Sequence, residues 1–344
     1  MKKFKDMKLS RNLNYIVLGA IMALFVILSL CGVVKTSTVY LLEEMAIKII
    51  LALSLSLVVG FLGELSLGHA GFMCVGAYLG GKIAAVLAAP LGNGMLTLII
   101  SLLVGGASAG LCGFLIGLPA LRLKGDYLAI TTLAFGEIVR TIFLNTSEAT
   151  FGGPVGLTTP RYNKDTFFII CFVLVLITLF VIQNLIRSKH GRAIKAIRDN
   201  EIAAKATGIN ITRYKLFGFI LSAVFAGLAG VLYSYTKFNV SSQTFDYNYS
   251  IEILVIVVLG GMGSINGSMI AAVLVTLLNR ELANILTGNL AVLKDLVYAL
   301  VLIAIVIYNN APALKDFREK HNLRDMLLRR KKKASVEAET KEVE

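Results

Sequence analysis

Long apolar runs with few or no charges, separated by short polar or basic stretches, dominate the sequence. About 20 apolar residues are enough for a helix to cross a bilayer. Of the 344 residues, 56% are hydrophobic, and the mean hydropathy is +0.77. The pattern predicts an all-α polytopic membrane protein with about 8–10 transmembrane segments, including broken or re-entrant helices. The complete runs are Tyr15–Val34, Met45–Gly63, Phe72–Ala89, Met95–Leu118, Tyr127–Asn145, Phe167–Ile186, Leu216–Tyr235 and Leu290–Tyr308.

Basic residues cluster at the ends of these runs, with eight Lys or Arg in Arg187–Lys215 and nine in Lys315–Lys333. Loops rich in Lys and Arg stay on the cytoplasmic side of a membrane. Topology therefore explains the net charge of +13 better than nucleic-acid binding does. The predicted division is a cytoplasmic N-terminal segment over residues 1–14, a transmembrane domain over 15–310 with a cytoplasmic loop at 187–215, and a cytoplasmic tail over 311–344 that is basic and then acidic.

The segment Ser250–Asn279 is long enough for one tilted span or for two short half-spans. A single crossing would leave the basic tail outside, against the positive-inside rule. We therefore expect a turn at Gly260–Ser268, of the kind at which transporters build their pathways. One long tilted helix with a glycine-rich packing face is the alternative. Glu252, near the outer end of the segment, is expected to extend toward the membrane surface.

The basic stretch Arg187–Lys215 contains the start and stop signals of a short helix. Asp199 and Asn200 are good N-caps, and Gly208 is a typical residue after a helix end. A helix of two turns is unstable alone in water, so the membrane domain or a partner must hold it. Glu201 is expected to pair with Lys205 one turn later, and the alanines between the caps give the helix a small, flat face.

Within this helix, Glu201, Ala203, Ala204 and Gly208 resemble the EAA-xxx-G coupling motif of ABC-importer permeases, although Ile202 is interposed. Four further stretches resemble the signature stretches of the branched-chain amino-acid importer permeases, and the long basic loop is typical of their LivM type. These stretches are Leu121–Arg140, Leu254–Gly267, Gly68–Phe72 and the loop Gly152-Gly153-Pro154. A solvated cytoplasmic loop is the alternative interpretation of Arg187–Lys215.

The resemblance implies the ABC-importer permease architecture, in a multi-pass protein of the bacterial plasma membrane with both termini cytoplasmic. The expected partners are two cytoplasmic ATP-binding subunits, a homologous second permease subunit and an extracytoplasmic substrate-binding protein. ATP would be bound and hydrolysed on the partners, so neither a cofactor, a metal nor an enzyme activity is expected on this chain. The residues expected to couple it to the ATP-binding subunits are Asn200, Glu201, Ala203, Ala204, Lys205 and Gly208.

Charged and polar residues inside apolar runs are candidates for a translocation pathway, because irregular backbone and charge are tolerated at membrane depth only against protein or water. Glu64 and His69 flank a glycine-rich interruption of one such run. Glu137 and Arg140 are three residues apart and can form a structural pair instead. The candidate pathway residues are Glu64, Ser66, His69, Glu137, Gly260, Gly261, Gly263, Ser264 and Asn266.

The expected substrate is a branched-chain amino acid, namely leucine, isoleucine or valine. Urea, short amides and other amino acids are alternative substrates within the same family. An ion-coupled secondary transporter would also have broken helices, but it would need no partner ATPase. A membrane-embedded enzyme would need a nucleophile–base pair or a metal cluster, and the three scattered histidines do not supply one.

Overall fold

The computed structural model describes residues 36–123, 125–160, 162 and 164–285, and isolated positions beyond them. The chain divides into two compact units, residues 1–285 and 286–344, and the description that follows concerns the first. The apolar run Tyr15–Val34 and the basic tail lie outside the described residues, as does most of Leu290–Tyr308. The predictions made for those three segments therefore remain predictions.

The described chain is helical almost throughout, as the apolar runs predict. Seven of its helices are long and apolar enough to cross a membrane, and one shorter apolar helix accompanies them. The helices are α1 (Thr36–Ser56, continued as a π-helix over Leu57–Leu62), α2 (His69–Leu91), α3 (Met95–Ala120), α4 (Asp126–Leu144), α5 (Glu148–Phe151), α6 (Lys164–Arg187), α7 (Lys189–Asp199), α8 (Glu201–Ala206), α9 (Ile211–Lys237), α10 (Tyr247–Leu259) and α11 (Ile265–Ile285).

The first of these helices begins nine residues before the predicted start at Met45. Glu43, Glu44 and Lys48 make the early turns of α1 look polar in the sequence. Glu43 and Lys48 are nevertheless buried inside the bundle, and Lys48 is paired with an acid. The predicted boundary is wrong because the apolar run alone does not reveal buried, paired charges.

Small residues hold α2, α3 and α9 together at the centre of the bundle. A Cβ atom added at Gly76 of α2 would lie 2.2 Å from the Gly227 carbonyl oxygen of α9. One added at Gly105 of α3 would lie 2.2 Å from the Val231 side chain of α9. Such contacts let helices approach closely, which is how membrane helices associate without a hydrophobic driving force.

The predicted break in Ser250–Asn279 is present. α10 ends at Leu259, a turn follows in which Gly261 and Gly263 have positive φ, and α11 begins at Ile265. The second half is not a short half-span as expected, because α11 runs for 21 residues to Ile285.

The direction of α11 follows from two contacts with α1. Gly263, in the turn, lies against Gly60 near the end of α1, where an added Cβ would come within 2.4 Å of the Gly263 nitrogen. Arg280 of α11 donates a hydrogen bond of 3.1 Å to the Ser37 carbonyl at the start of α1. The chain thus turns at one end of α1 and returns toward the other.

The two ends of the bundle differ in character. α7, α8 and the glycine turn lie at the end of α1 that carries Leu62, which we call the basic end. At the opposite end, two short strands, β1 (Leu157–Thr158) and β2 (Asn239–Val240), pair antiparallel. The loop before β1 contains Gly152, Gly153 and Gly156, all with positive φ.

Candidate coupling and translocation site

The interruption between α1 and α2 is irregular backbone over residues 63–68. It follows the π-helical end of α1, and Gly63 has the left-handed conformation that turns the chain out of that helix. Segments of π-helix are rare and often occur at functional sites. The Glu64 carboxylate in this segment lies 2.5 Å from the Lys215 ammonium of α9. Both side chains are largely buried, so each charge depends on the other.

Lys215 also connects this segment to the short helix α8. Its ammonium lies 3.3 Å from the carboxylate of Glu201, the first residue of α8. The predicted pairing of Glu201 with Lys205 is therefore wrong, since Glu201 is drawn toward the more buried lysine. A cavity of about 340 Å³ is lined by all three members of the triad Glu64–Lys215–Glu201.

The neighbouring helix α7 attaches to the π-helix directly. The Arg198 guanidinium donates a hydrogen bond of 3.0 Å to the Gly60 carbonyl, and the Lys195 ammonium lies 5.7 Å from the centre of the Phe61 ring. Gly60 also contacts Gly263 of the glycine turn. The basic loop, the end of α1 and the helix break therefore meet at one place.

The caps of α8 are those that the sequence predicts. The Asn200 side chain accepts a hydrogen bond from the Ala203 backbone N–H. Gly208, just after the helix, has a φ of 84°, which only glycine adopts without strain. These two residues thus have structural roles in ending the helix, and a direct role of either in coupling stays a prediction.

The outward face of α8 differs from the predicted one. Ala204 is only 4% exposed and packs inside the protein, so it does not lie on the exposed face of α8, and its expected role in coupling stays a prediction. Ile202, which interrupts the coupling motif, is 84% exposed. Ala203 and Lys205 are exposed as well. Because α8 is anchored through Ala204, the residues on either side of Ala204 are exposed. Contacts of α8 with α7 and α9 determine which of its residues are buried.

Farther from the basic end, hydrogen bonds between distant segments connect α2 to α1 and to α10 inside the bundle. His69 Nε2 lies 2.8 Å from the Ser54 hydroxyl, and the Ala70 N–H donates to the Ser250 hydroxyl of α10 over 3.1 Å. His69 is buried against protein. The Ser66 hydroxyl is also buried, and it makes no hydrogen bond within the described part of the chain.

Glu137 and Arg140 form the predicted pair, with 2.8 Å between Arg140 Nε and Glu137 Oε2. The other Glu137 oxygen accepts a hydrogen bond of 3.1 Å from the Tyr247 N–H at the start of α10. The carboxylate therefore also holds the first turn of the short helix, where free N–H groups favour negative charge. This second role links α4 to α10.

Sequence patterns single out none of Lys48, Arg198 and Lys215, which carry the long-range contacts. Lys48 Nζ lies 2.6 Å from Glu252 Oε1, between α1 and α10. The expectation that Glu252 extends to the membrane surface is wrong, because Lys48 pairs with it inside the bundle. A lysine within an apolar run is the signal that could have identified the pair.

The predicted pathway residues fall into separate groups in the structure. Glu64 lies in the triad, His69 contacts Ser54 of α1, and Glu137 contacts the Tyr247 N–H of α10. Gly260, Gly261 and Gly263 shape the turn, and Ser264 accepts a hydrogen bond from the Gly267 N–H at the start of α11. Asn266 is exposed near that start. Whether substrate contacts any of them stays a prediction.

Two cavities mark the ends of the bundle. The one of about 340 Å³ includes Leu62 in its lining, and one of about 310 Å³ at the opposite end includes Tyr40 and Glu43. Lys48 and Ser54, which make buried contacts with α10 and α2, lie between these residues along α1. Buried residues of α1 thus lie between those that line the two cavities.

Comparison with known proteins gives a family match and several similar proteins. Residues 37–306 match the family described as branched-chain amino acid transport system / permease component. Over 281 residues the chain is 40% identical to the high-affinity branched-chain amino acid transport system permease protein LivM of Escherichia coli (strain K12), covering 72% of this chain and 64% of that protein. Over 268 residues it is 41% identical to the protein of the same name from Salmonella typhimurium (strain LT2), covering 69% and 61%.

A more distant relative is the ribose import permease protein RbsC of Escherichia coli (strain K12), 24% identical over 292 residues, or 78% of this chain and 84% of that protein. No solved structure matches the chain significantly. The chain spans less than two thirds of the length of the two LivM proteins. Its match to the family nevertheless covers most of its own length. The chain is therefore a member of the family of permease components of branched-chain amino acid transport systems.

Proposed function

We propose that this chain is the permease subunit of an ATP-driven importer that moves leucine, isoleucine or valine inward, and that ATP is hydrolysed on separate subunits. The family match and the names of the two similar LivM proteins support this substrate class. The membrane-length helices and the broken helix α10–α11 fit a transport subunit.

The observation that carries the proposal is the triad Glu64–Lys215–Glu201. One lysine contacts both the first residue of α8 and the irregular segment between α1 and α2. A force applied to α8 would therefore reach a segment inside the bundle through two ion pairs. Arg198 supplies a parallel connection from α7 to Gly60 and the glycine turn.

In this proposal an ATP-binding subunit docks on the exposed face of α8. Ile202 is a large apolar side chain that is almost fully exposed, and a single apolar anchor entering a partner's pocket often dominates an interface. Ala203 beside it lets a partner approach closely. Ala204 contributes by fixing α8 to the permease rather than by touching the partner.

The orientation and assembly follow from the same proposal. The basic end would face the cytoplasm, in agreement with its excess of Lys and Arg. The opposite end, with β1 and β2, would face the extracytoplasmic substrate-binding protein. A homologous second permease subunit and a second ATP-binding subunit would complete the importer in the bacterial plasma membrane, with both termini of this chain cytoplasmic.

The test is ATP-dependent uptake by the complete complex reconstituted in proteoliposomes. We expect uptake of leucine, isoleucine and valine that requires ATP inside and binding protein outside. Ribose, urea and short amides should be transported poorly. Uptake driven by an ion gradient without ATP would instead indicate a secondary transporter, and preferential uptake of another solute would replace the proposed substrate.

The same assay tests the docking surface through Ile202→Asp. A charge at the centre of an apolar contact should weaken binding of the ATP-binding subunit by about 2 kcal/mol or more, which is about thirtyfold in affinity. Val155→Asp is a matched control, because Val155 is an exposed apolar residue at the opposite end. Co-purification with the ATP-binding subunit should be lost only in the Ile202 variant, and equal retention by both variants would contradict the docking proposal.

A further inference from the structure

Lys48 of α1 and Glu252 of α10 form an ion pair that has no part in the contacts of α8. Their charged atoms are 2.6 Å apart, and the two side chains are 5% and 18% exposed. Bringing a charge into a bilayer-spanning bundle is costly, and apolar side chains of similar size often pack as well as a buried ion pair or better. Helix packing alone therefore does not require two charges at this position.

The pair lies on the short helix that precedes the break. α10 is held near its start by the Glu137 carboxylate, which accepts from the Tyr247 N–H, and by Ser250, which accepts from the Ala70 N–H. Its other end leads into the glycine turn. A short helix beside such a turn can shift relative to its neighbours without distorting the next helix. Glu252 thus lies on a short helix between these contacts and the glycine turn.

We infer that Lys48 and Glu252 form a binding site for the zwitterionic backbone of an α-amino acid during its passage. The α-carboxylate would pair with the Lys48 ammonium, and the α-ammonium would pair with the Glu252 carboxylate. This inference rests on the proposed function, because it requires that amino acids cross the membrane through this chain.

The charge balance of this exchange favours a zwitterion over other solutes. The substrate replaces one ion pair inside the protein with two, and the net charge of the site stays zero throughout. A solute with only one charge would leave one member of the pair buried without a partner, which is strongly unfavourable. A neutral sugar or amide could not compensate either charge fully. The side chain of the amino acid would remain against the apolar walls.

In this inference the substrate reaches the pair from the side of Glu252. Its side chain retains 18% of its surface, while that of Lys48 retains only 5%. The carboxylate is therefore the group that a solute reaches first, and the ammonium group of the substrate would make the first contact. Opening of the pair would then expose Lys48 to the substrate carboxylate.

The experiment uses the complete complex in proteoliposomes and the double variant Lys48→Met/Glu252→Gln, which removes both charges together. We expect this variant to assemble with its partners and to hydrolyse ATP. Leucine uptake at limiting binding-protein concentration should fall at least about tenfold, the equivalent of about 1.4 kcal/mol. The control is Arg122→Gln, which removes an exposed charge just after α3 and should leave uptake unchanged.

A charge-reversed variant, Lys48→Glu/Glu252→Lys, tests the site even if the neutral variant fails to assemble. Reversal keeps an ion pair for the fold but exchanges the positions offered to the substrate's ammonium and carboxylate. We expect assembly with uptake still reduced at least about tenfold. Parental uptake by the neutral or the reversed variant would show that the pair is structural, and would overturn the inference while the proposed function stands. A parent complex that transports no amino acid would overturn both.

Discussion

Lys215 is the residue that joins the two candidate regions of the protein. Its ammonium contacts Glu64 at 2.5 Å and Glu201 at 3.3 Å, and its side chain is almost fully buried. A buried lysine with two acids is stabilised by both, and the largely buried Glu64 depends on it, whereas the side chain of Glu201 is 38% exposed. The sequence places these three residues far apart, so nothing in local periodicity predicts that they meet.

Replacing Lys215 with methionine tests this dependence. Lys215→Met keeps a flexible apolar side chain but leaves Glu64 without its partner, which should destabilise the protein by about 3–5 kcal/mol. A lower melting temperature of the detergent-solubilised chain is the measurement. Lys205→Met is the matched control, because Lys205 is exposed on α8, and it should leave the melting temperature unchanged. Equal melting temperatures for both variants would show that the triad does not stabilise the fold.

Among the helices and turns, local sequence signals predict a feature correctly when that feature does not depend on long-range contacts. The cap at Asn200, the stop at Gly208 and the pair Glu137–Arg140 all follow from nearby residues. The burial of Ala204 does not, because it depends on the register of α8 against its neighbours. The length of α11 and the pairing of Glu252 with Lys48 are also missed, because they too depend on contacts between distant segments.

The contact between the π-helix and the glycine turn gives a prediction at this scale. A Cβ atom at Gly60 would lie 2.4 Å from the Gly263 nitrogen and 2.9 Å from its Cα. Since backbone atoms cannot move aside cheaply, Gly60→Ala should destabilise the protein by about 1–3 kcal/mol. It should also reduce uptake, because the turn after α10 is displaced.

Gly94→Ala is the control for this substitution, since a Cβ atom there meets nothing within 4 Å. Thermal unfolding of the two purified variants and their uptake rates provide the comparison. If the Gly60 variant has the same stability and uptake as the Gly94 variant, the close approach of α1 and the glycine turn contributes to neither stability nor transport.

For the whole molecule, the apolar runs are sufficient to predict a helical membrane protein, and the positive-inside rule favours the turn found in the structure. The arrangement of the helices is not predictable from one sequence. It depends on small-residue contacts among α2, α3 and α9 and on isolated ion pairs. One cavity lies toward each end of the bundle, and buried residues of α1 lie between the residues that line them.

The proposed function depends most directly on docking of the ATP-binding subunit on α8 at the basic end. The direct measurement is thiol cross-linking in a variant lacking the four native cysteines, with one cysteine placed at Ile202 or, as a control, at Val155. We expect Ile202→Cys to cross-link to a cysteine on the ATP-binding subunit and to be shielded from an impermeant reagent added outside intact cells. Val155→Cys should show the reverse. Labelling of Ile202→Cys from outside, with no cross-link to the ATP-binding subunit, would contradict docking on α8.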